Sequence, residues 1–404
     1  MALKLKHIIT KNPLTHTKAT STMNSTLSAQ RPYTIINKEL DFNNRPSIPE
    51  NYDATKYRKW VRLNPCPSDS KNKISIMSYN LLSRHYTWHQ IFGYLEQQYL
   101  DWPNYRFPLI NMTISQFMCD IMCFQEMEYY IYDKYWSKDF PNNNYKSFFI
   151  KKSLPGYWGG KSTDFIDGVG VFVNTKRFEV IDTKEINFGE HILENKSQYS
   201  MTEDLISRLI PRNTVALILK LYDKIANKTV YVANTHLYWS PEYNDVKALQ
   251  TKLLLNELRD YVDNKDLSKA HIIVMGDFNS NLKSDVFKLL STTGIDIKQS
   301  PEFACHDYGL DNPLIDHSGM INNPFEFSNI YESLLKTEKL NFTSYTSSLT
   351  DVLDHMFITK NNFSIIKVLS EVDEKYCSNC TIKGFPNKQF PSDHIPLVAE
   401  INYT

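Results

Sequence analysis

The chain has 404 residues, with 45 Lys and Arg balanced by 45 Asp and Glu and an apolar fraction of 42 %. That composition is globular, with enough apolar residues for a sizeable core, and no run approaches the roughly 18 uncharged apolar residues that a membrane span requires. The balanced charge excludes a globally basic surface, so any contact with a polyanion has to be local or assisted by metal ions. Residues 1–35 are basic, rich in Ser and Thr, and without an acidic residue before Glu39. They read as a mitochondrial targeting segment or, failing that, as a disordered tail of a cytoplasmic protein. Pro46, Pro49, Pro65 and Pro67 punctuate a connector over 36–72.

Regular structure is expected from Lys73, with one catalytic domain over 73–404. Strands are predicted at 73–80, 120–126, 167–174, 214–223, 229–237, 271–279, 353–360 and 396–403. A helix is predicted over 245–263, where Val246, Leu249, Leu253, Leu254, Leu258 and Val262 form one apolar stripe, and another over "LINMTISQFMC". The polar segment 299–327 reads as a long surface loop. Cys119, Cys123 and Cys305 read as small core residues. Cys377 and Cys380 form a lone C-x-x-C without the second pair that a zinc site needs. Many strands, few helices and no internal linker argue for an α+β domain of two packed sheets with helices outside.

One stretch raises a question of chemistry. "HIIVMGDFNSN" (271–281) runs from four apolar residues straight into Asp277 and Asn279, whose side chains point the same way from the end of a buried strand. Alone it is an ordinary strand-to-turn exit. The pattern recurs, however: Asn80, Glu126, Asn234 with His236, Asp354, and Asp393 with His394 all fall at or near strand ends. Buried polar groups are costly unless paired, so a whole series at equivalent places asks for a common purpose. Carboxylates and carboxamides are hard oxygen ligands that suit Mg²⁺ or Mn²⁺, and histidines beside them suit phosphoryl chemistry.

The ordered series "SYNLLS", "FQEME", "DGVGVF", "NTHLYWSP", "GDFNS", "LDHMF" and "SDHIPL" resembles the exonuclease–endonuclease–phosphatase superfamily, most of all its nocturnin and carbon-catabolite-repression-type deadenylase branch. The resemblance covers roughly residues 73–404. It implies a four-layer α/β sandwich and Mg²⁺-dependent hydrolysis of RNA from the 3′ end, with Mn²⁺ an alternative ion. Carried over by motif, Glu126 is the principal metal ligand with Asn80 beside it, and Asp393 lies near a second metal. Asp277 orients or deprotonates the attacking water, Asn279 holds the phosphate, and His236 contacts the scissile phosphate. Asp354 holds His394, which stabilises the transition state. Tyr238, Trp239 and Pro241 approach a bound base, and Asn234 and Arg212 join them on the substrate side.

Two departures stand out: His355 replaces a tyrosine of the branch, and Leu349 stands where an aromatic platform is expected, which weakens strict adenine preference. No leucine-rich-repeat region precedes the catalytic motifs, so docking into a large deadenylase complex is not expected. Rival readings are a nocturnin-like phosphatase acting on a phosphorylated dinucleotide, an inositol-phosphate phosphatase, a non-catalytic RNA-binding protein and an abasic-site endonuclease. The lysine-containing motif of the lipid phosphatases has no clear counterpart here. The non-catalytic reading expects eroded ligands, and none is eroded.

Overall fold

The computed structural model describes residues 47–65, 70–156, 158–263, 266–379 and 381–404. Residues 1–35, expected to be a targeting segment, and Cys380 lie outside them. In chain order the strands are β1 (Trp60–Arg62), β2 (Lys73–Asn80), β3 (Ile121–Glu128), β4 (Tyr145–Lys151), β5 (Asp167–Asn174), β6 (Phe178–Asn187), β7 (Val215–Asp223), β8 (Lys228–His236) and β9 (His271–Asp277). Then come β10 (Gly294–Asp296), β11 (Met320–Asn322), β12 (Phe327–Asn329), β13 (Ser344–Tyr345), β14 (Thr350–Asp351), β15 (Asp354–Thr359), β16 (Phe363–Leu369) and β17 (Leu397–Tyr403). One sheet has the order β1-β16-β17-β2-β3-β5-β4 and the other β12-β15-β9-β8-β7-β6. Each is antiparallel apart from one central parallel pair, β2 with β3 and β8 with β9.

The four layers follow from period-two alternation along the central strands. In the first sheet Ile74, Ile76, Ile121 and Cys123 face the second sheet, meeting Val230, Val232, Ile273 and Met275 in one core. The alternate residues Met77, Tyr79, Met122 and Phe124 face outward, against Ile110 and Ile114 of the Phe107–Phe117 helix. On the second sheet Tyr231, Ala233, Ile272 and Val274 face Val246, Leu249 and Leu253 of the Asn244–Tyr261 helix. Both faces of the central strands are covered, which explains why those strands read as nearly unbroken apolar runs.

The structure differs from the sequence reading in several places. The connector is not idle: Tyr52 reaches Thr113, β1 pairs with β16, and buried Arg58 donates to the carbonyls of Leu369, Ser370 and Pro396. The helix expected to show one apolar stripe is buried on nearly all sides as far as Leu258. Its cover is the supposed surface loop 299–327, whose Phe303, Tyr308, Leu314, Ile315, Ile321 and Phe325 pack into the same core despite polar neighbours. The sequence reading lacks β4, β6 and β16, whose outer faces carry charges that break the apolar run, and also β1 and β10 to β14, which are only two or three residues long. Finally, Cys119 and Cys123 are buried as expected, but Cys305 is exposed.

Candidate active site

The parallel pairs bring the polar strand ends to one rim of the sandwich. Asn80 lies opposite Gln125 across β2–β3, and His236 lies opposite Asp277 across β8–β9. β15 enters from the other direction and sets Asp354 opposite Asp277. The segment before β17 completes the rim: Ser392 Oγ donates to the Asn80 carbonyl (2.7 Å), and His394 bridges to Ser344. Open α/β sheets place ligands at such carboxyl ends.

On the first sheet, β3 does not stop at Glu126 as its sequence suggests but runs on to Glu128 through a register shift between Phe124 and Met127. Glu126 sits in that irregularity with φ +54°, a left-handed conformation that costs a non-glycine residue about 1–3 kcal/mol and clusters at functional sites. The kink turns its carboxylate out of the pleat. There Asn80 Nδ2 donates to Oε1 (3.1 Å) and the Ser83 N–H to Oε2 (2.8 Å). Burial and the like charges of Asp393 and Asp167 push the Glu126 carboxyl up to about 8, against Lys152 and Asn80. Asp393 is raised as well, by burial, despite His394 and Arg106. Here acids outnumber cations, and all offer hard oxygen donors. These residues fit a divalent cation, whose charge would offset their mutual repulsion.

On the second sheet the acids are paired. His394 Nδ1 lies 2.7 Å from Asp354 Oδ2, and its Nε2 lies 3.7 Å from Asp277 Oδ2. Burial opposes a charge on His394, but Asp354, Asp277 and Asp393 outweigh it and hold the imidazolium well above its ordinary range. His236 goes the other way. Burial, Lys152 and His394 hold it neutral, so its 3.6 Å approach to Asp277 is a polar contact and no ion pair. Lys152 Nζ, which can only donate, lies 3.4 Å from His236 Nδ1. The ring proton is therefore on Nε2, facing Asp277. Burial and Asp354 raise the Asp277 carboxyl to about 6. Its Oδ2 accepts from Asn80 Nδ2 (2.8 Å) and its Oδ1 from the Asn279 N–H (2.8 Å), so Asn80 links the two sheets' carboxylates.

Among the described residues, Asp277, Asp354 and His394 place ligand atoms within 4.8 Å of one another. A cationic imidazole whose Nδ1 is already held by Asp354 is a poor metal ligand, so this trio reads better as proton-handling machinery. The Glu126 side is the better cation site.

The substrate side needs one correction. Asn234 is fully buried between the sheets. Its Oδ1 accepts from Gln125 Nε2 (2.8 Å), and its Nδ2 donates to the carbonyls of Phe124 (3.1 Å) and Gly170 (2.9 Å). It clasps the two sheets and has no surface for a substrate. Arg212 donates to the Tyr238 hydroxyl (3.0 Å) and lies over the Tyr238 and Tyr243 rings, next to Trp239, which is 62 % exposed. Pro241 opens the 3₁₀ turn Pro241–Tyr243. His355 is buried, with Nε2 2.7 Å from the Ser280 carbonyl, so its ring supports the Asp277 loop from behind.

Residue types alone did not disclose Asp167 and Lys152, paired at 2.7 Å, or Arg106, which donates to the carbonyls of Leu81, Leu82 and Pro391. Asp167 had one signal, as the first residue of "DGVGVF".

With this geometry in place, comparison with known proteins adds the lineage. The Endonuclease/Exonuclease/phosphatase family model matches residues 77–394. The chain belongs to that family. In Candida albicans, the CCR4-Not complex 3′-5′-exoribonuclease subunit Ccr4 is 30 % identical over 339 residues, 82 % of this chain and 41 % of that protein. The Schizosaccharomyces pombe subunit of the same name is 28 % identical over 352 residues, 82 % and 49 % respectively. The chain thus spans about two-fifths to one-half of the length of these curated relatives. Among solved members of the Endonuclease/Exonuclease/phosphatase fold, ANGEL2, a 2′,3′-cyclic phosphatase, superposes with TM-score 0.69 at 23 % identity, covering 86 % of this chain and 98 % of that one. The human Nocturnin catalytic domain does so with TM-score 0.57 at 19 % identity and the same coverages. These likenesses establish the two-sheet sandwich.

Proposed function

We propose that the chain is a Mg²⁺-dependent 3′-5′ exoribonuclease of deadenylase type that hydrolyses RNA phosphodiesters to nucleoside 5′-monophosphates, with Mn²⁺ able to replace Mg²⁺. The observation that carries this reading is the rim where Glu126, Asp277, His236 and the Asp354–His394 pair converge. Kinship to proteins named as exoribonucleases supports it. A divalent cation held by Glu126 and Asn80, with Asp393 nearby, would neutralise charge on the phosphate.

The chain's own groups then divide the work. Asp277, whose carboxyl is raised towards neutrality, accepts the proton of the attacking water. Asn279 and neutral His236 present an amide and an Nε2–H to the phosphate. Cationic His394, fixed by Asp354, stabilises the charge that develops on the phosphoryl oxygens. Tyr238, Trp239 and Arg212 offer a face for stacking the terminal base, while Leu349, exposed at the β13–β14 turn, offers no aromatic ring. Adenine preference is accordingly partial. Residues 1–35 direct the protein to mitochondria, and their fusion to a fluorescent reporter tests that separately.

Purified protein with RNAs labelled at either end, with and without Mg²⁺, tests the reaction. Stepwise shortening from the 3′ end with release of 5′-monophosphates is expected. A 2′-phosphorylated nicotinamide dinucleotide serves as the comparison substrate, and its faster turnover would replace this reading with a phosphatase.

A further inference from the structure

The Asn244–Tyr261 helix carries a lysine that the chemistry above does not use. Lys247 is 2 % exposed, although lysines are almost never fully buried unless paired. It forms no ion pair among the described residues. Its Nζ makes one hydrogen bond, 2.7 Å to the backbone carbonyl of Asn279. Burial pulls its ammonium down to about 8, opposed by Glu302, Asp277 and Asp245, which leaves it mostly charged at neutral pH.

The acceptor is an unusual residue. Asn279 has φ +47°, a left-handed conformation that asparagine adopts more readily than other non-glycine residues. Its N–H donates to Asp277 Oδ1 (2.8 Å) and its Nδ2 to the Leu237 carbonyl (3.0 Å). A buried ammonium on its carbonyl fixes the third side of this peptide. A carbonyl can be satisfied by a neutral donor, so stability alone does not call for a charge there, whose burial is itself costly.

We propose that Lys247 is a positioning residue, whose buried ammonium clamps the Asn279 carbonyl and so aims the Asn279 carboxamide and the Asp277 carboxylate into the site. The proposal rests on the reading that these two groups act on the substrate. Its structural half, the clamp, stands or falls independently of that reading.

The test uses the full chain with Lys247→Met, which fills the same volume, and Lys247→Arg, which keeps a cationic donor. With oligo(A), Lys247→Met is expected to lower kcat by about 10–100-fold, the scale of one hydrogen bond to a charged group, with KM nearly unchanged and the protein still fully folded at the assay temperature. Lys247→Arg recovers part of the loss. Amide hydrogen exchange over residues 277–281 should quicken by about tenfold or more in Lys247→Met, while the rest of the Asn244–Tyr261 helix stays protected. Unchanged exchange at 277–281 would overturn the clamp whatever the assay shows. So would a kcat loss that only tracks loss of folded protein and is equal in both variants. Faster exchange in a protein whose wild type does not cleave RNA would uphold the clamp and sink the nuclease reading instead.

Discussion

The two sheets bring different chemistry to the same rim. From the first come acids in excess of cations: Glu126, with Asp393 and Asp167 close enough to raise its carboxyl. From the second come Asp277, Asp354, which seats the His394 imidazolium, and a neutral imidazole, His236, whose tautomer Lys152 sets. One half is short of positive charge, and the other has its charges and protons assigned. The contrast teaches that a single hydrolytic site can be split between a half suited to receiving a cation and a half suited to moving protons, each centred on the carboxyl end of one parallel strand pair, with Asp393 and His394 of the segment before β17 serving both.

The strongest way to break this division is Glu126→Ala. It removes a ligand from the cation side without opening a cavity in the core, and is expected to lower RNA hydrolysis by about 10⁴-fold, the several kcal/mol that a metal's charge stabilisation supplies. Circular dichroism should show the fold intact. Near-normal turnover in Mg²⁺ would mean that the cation belongs elsewhere.

On the proton side, His394→Ala and Asp354→Asn should each cost about 10³-fold, within the range of a positioned acid or base. Because an imidazole without its carboxylate is misoriented, the double variant should be barely worse than either single one. Multiplicative losses in that cycle would separate the two residues and leave Asp354 as a turn carboxylate.

A smaller effect sharpens the contrast through pH. Glu126, with its carboxyl raised from 4.5 to about 8 in the folded protein, binds its proton more tightly there than in the unfolded chain. Its contribution to stability is therefore fully present below about pH 4.5 and is lost as pH rises through about 8. In EDTA the Tm should fall by a few degrees between pH 5 and pH 8, and Mg²⁺ at pH 8 should restore it. Glu126→Gln should flatten the metal-free slope. An equal slope in that variant would assign the pH dependence to the histidine side.

The smallest effect concerns the outer rim. Leu349→Trp should raise preference for oligo(A) over oligo(U) by about fivefold, the low end of what stacking on an aromatic provides. No change in competition assays would confine base recognition to the Tyr238–Trp239 face.

Much of this was legible in the chain because apolar strands that end on Asn80, His236 and Asp277, or begin on Asp354, announce both the strand and the residue at its end. Glu126 was recognisable as a site residue, but the kink that turns it outward was not, since nothing local marks a glutamate for positive φ. Asn234 misled, because an Asn beside a His at a strand end looks alike whether it faces ligand or the opposite sheet. Lys247 and Lys152 were invisible for a related reason. A lysine on a helix or after a strand is ordinarily solvated, and only tertiary packing reveals which ones are enclosed.

The Asn234 clasp has a consequence for how the protein ages under heat. With its amide tied to Gln125, Phe124 and Gly170, the two halves of the site are fastened within a few residues of Glu126 and His236. A site spanning two layers would otherwise be the seam along which a sandwich creeps apart before it melts. Here the fastening is fully enclosed, so parting the two sheets beneath the rim requires rupture of the core. Separation of the two sheets at the site and global unfolding then become one event, while single loops of the rim keep their own local openings.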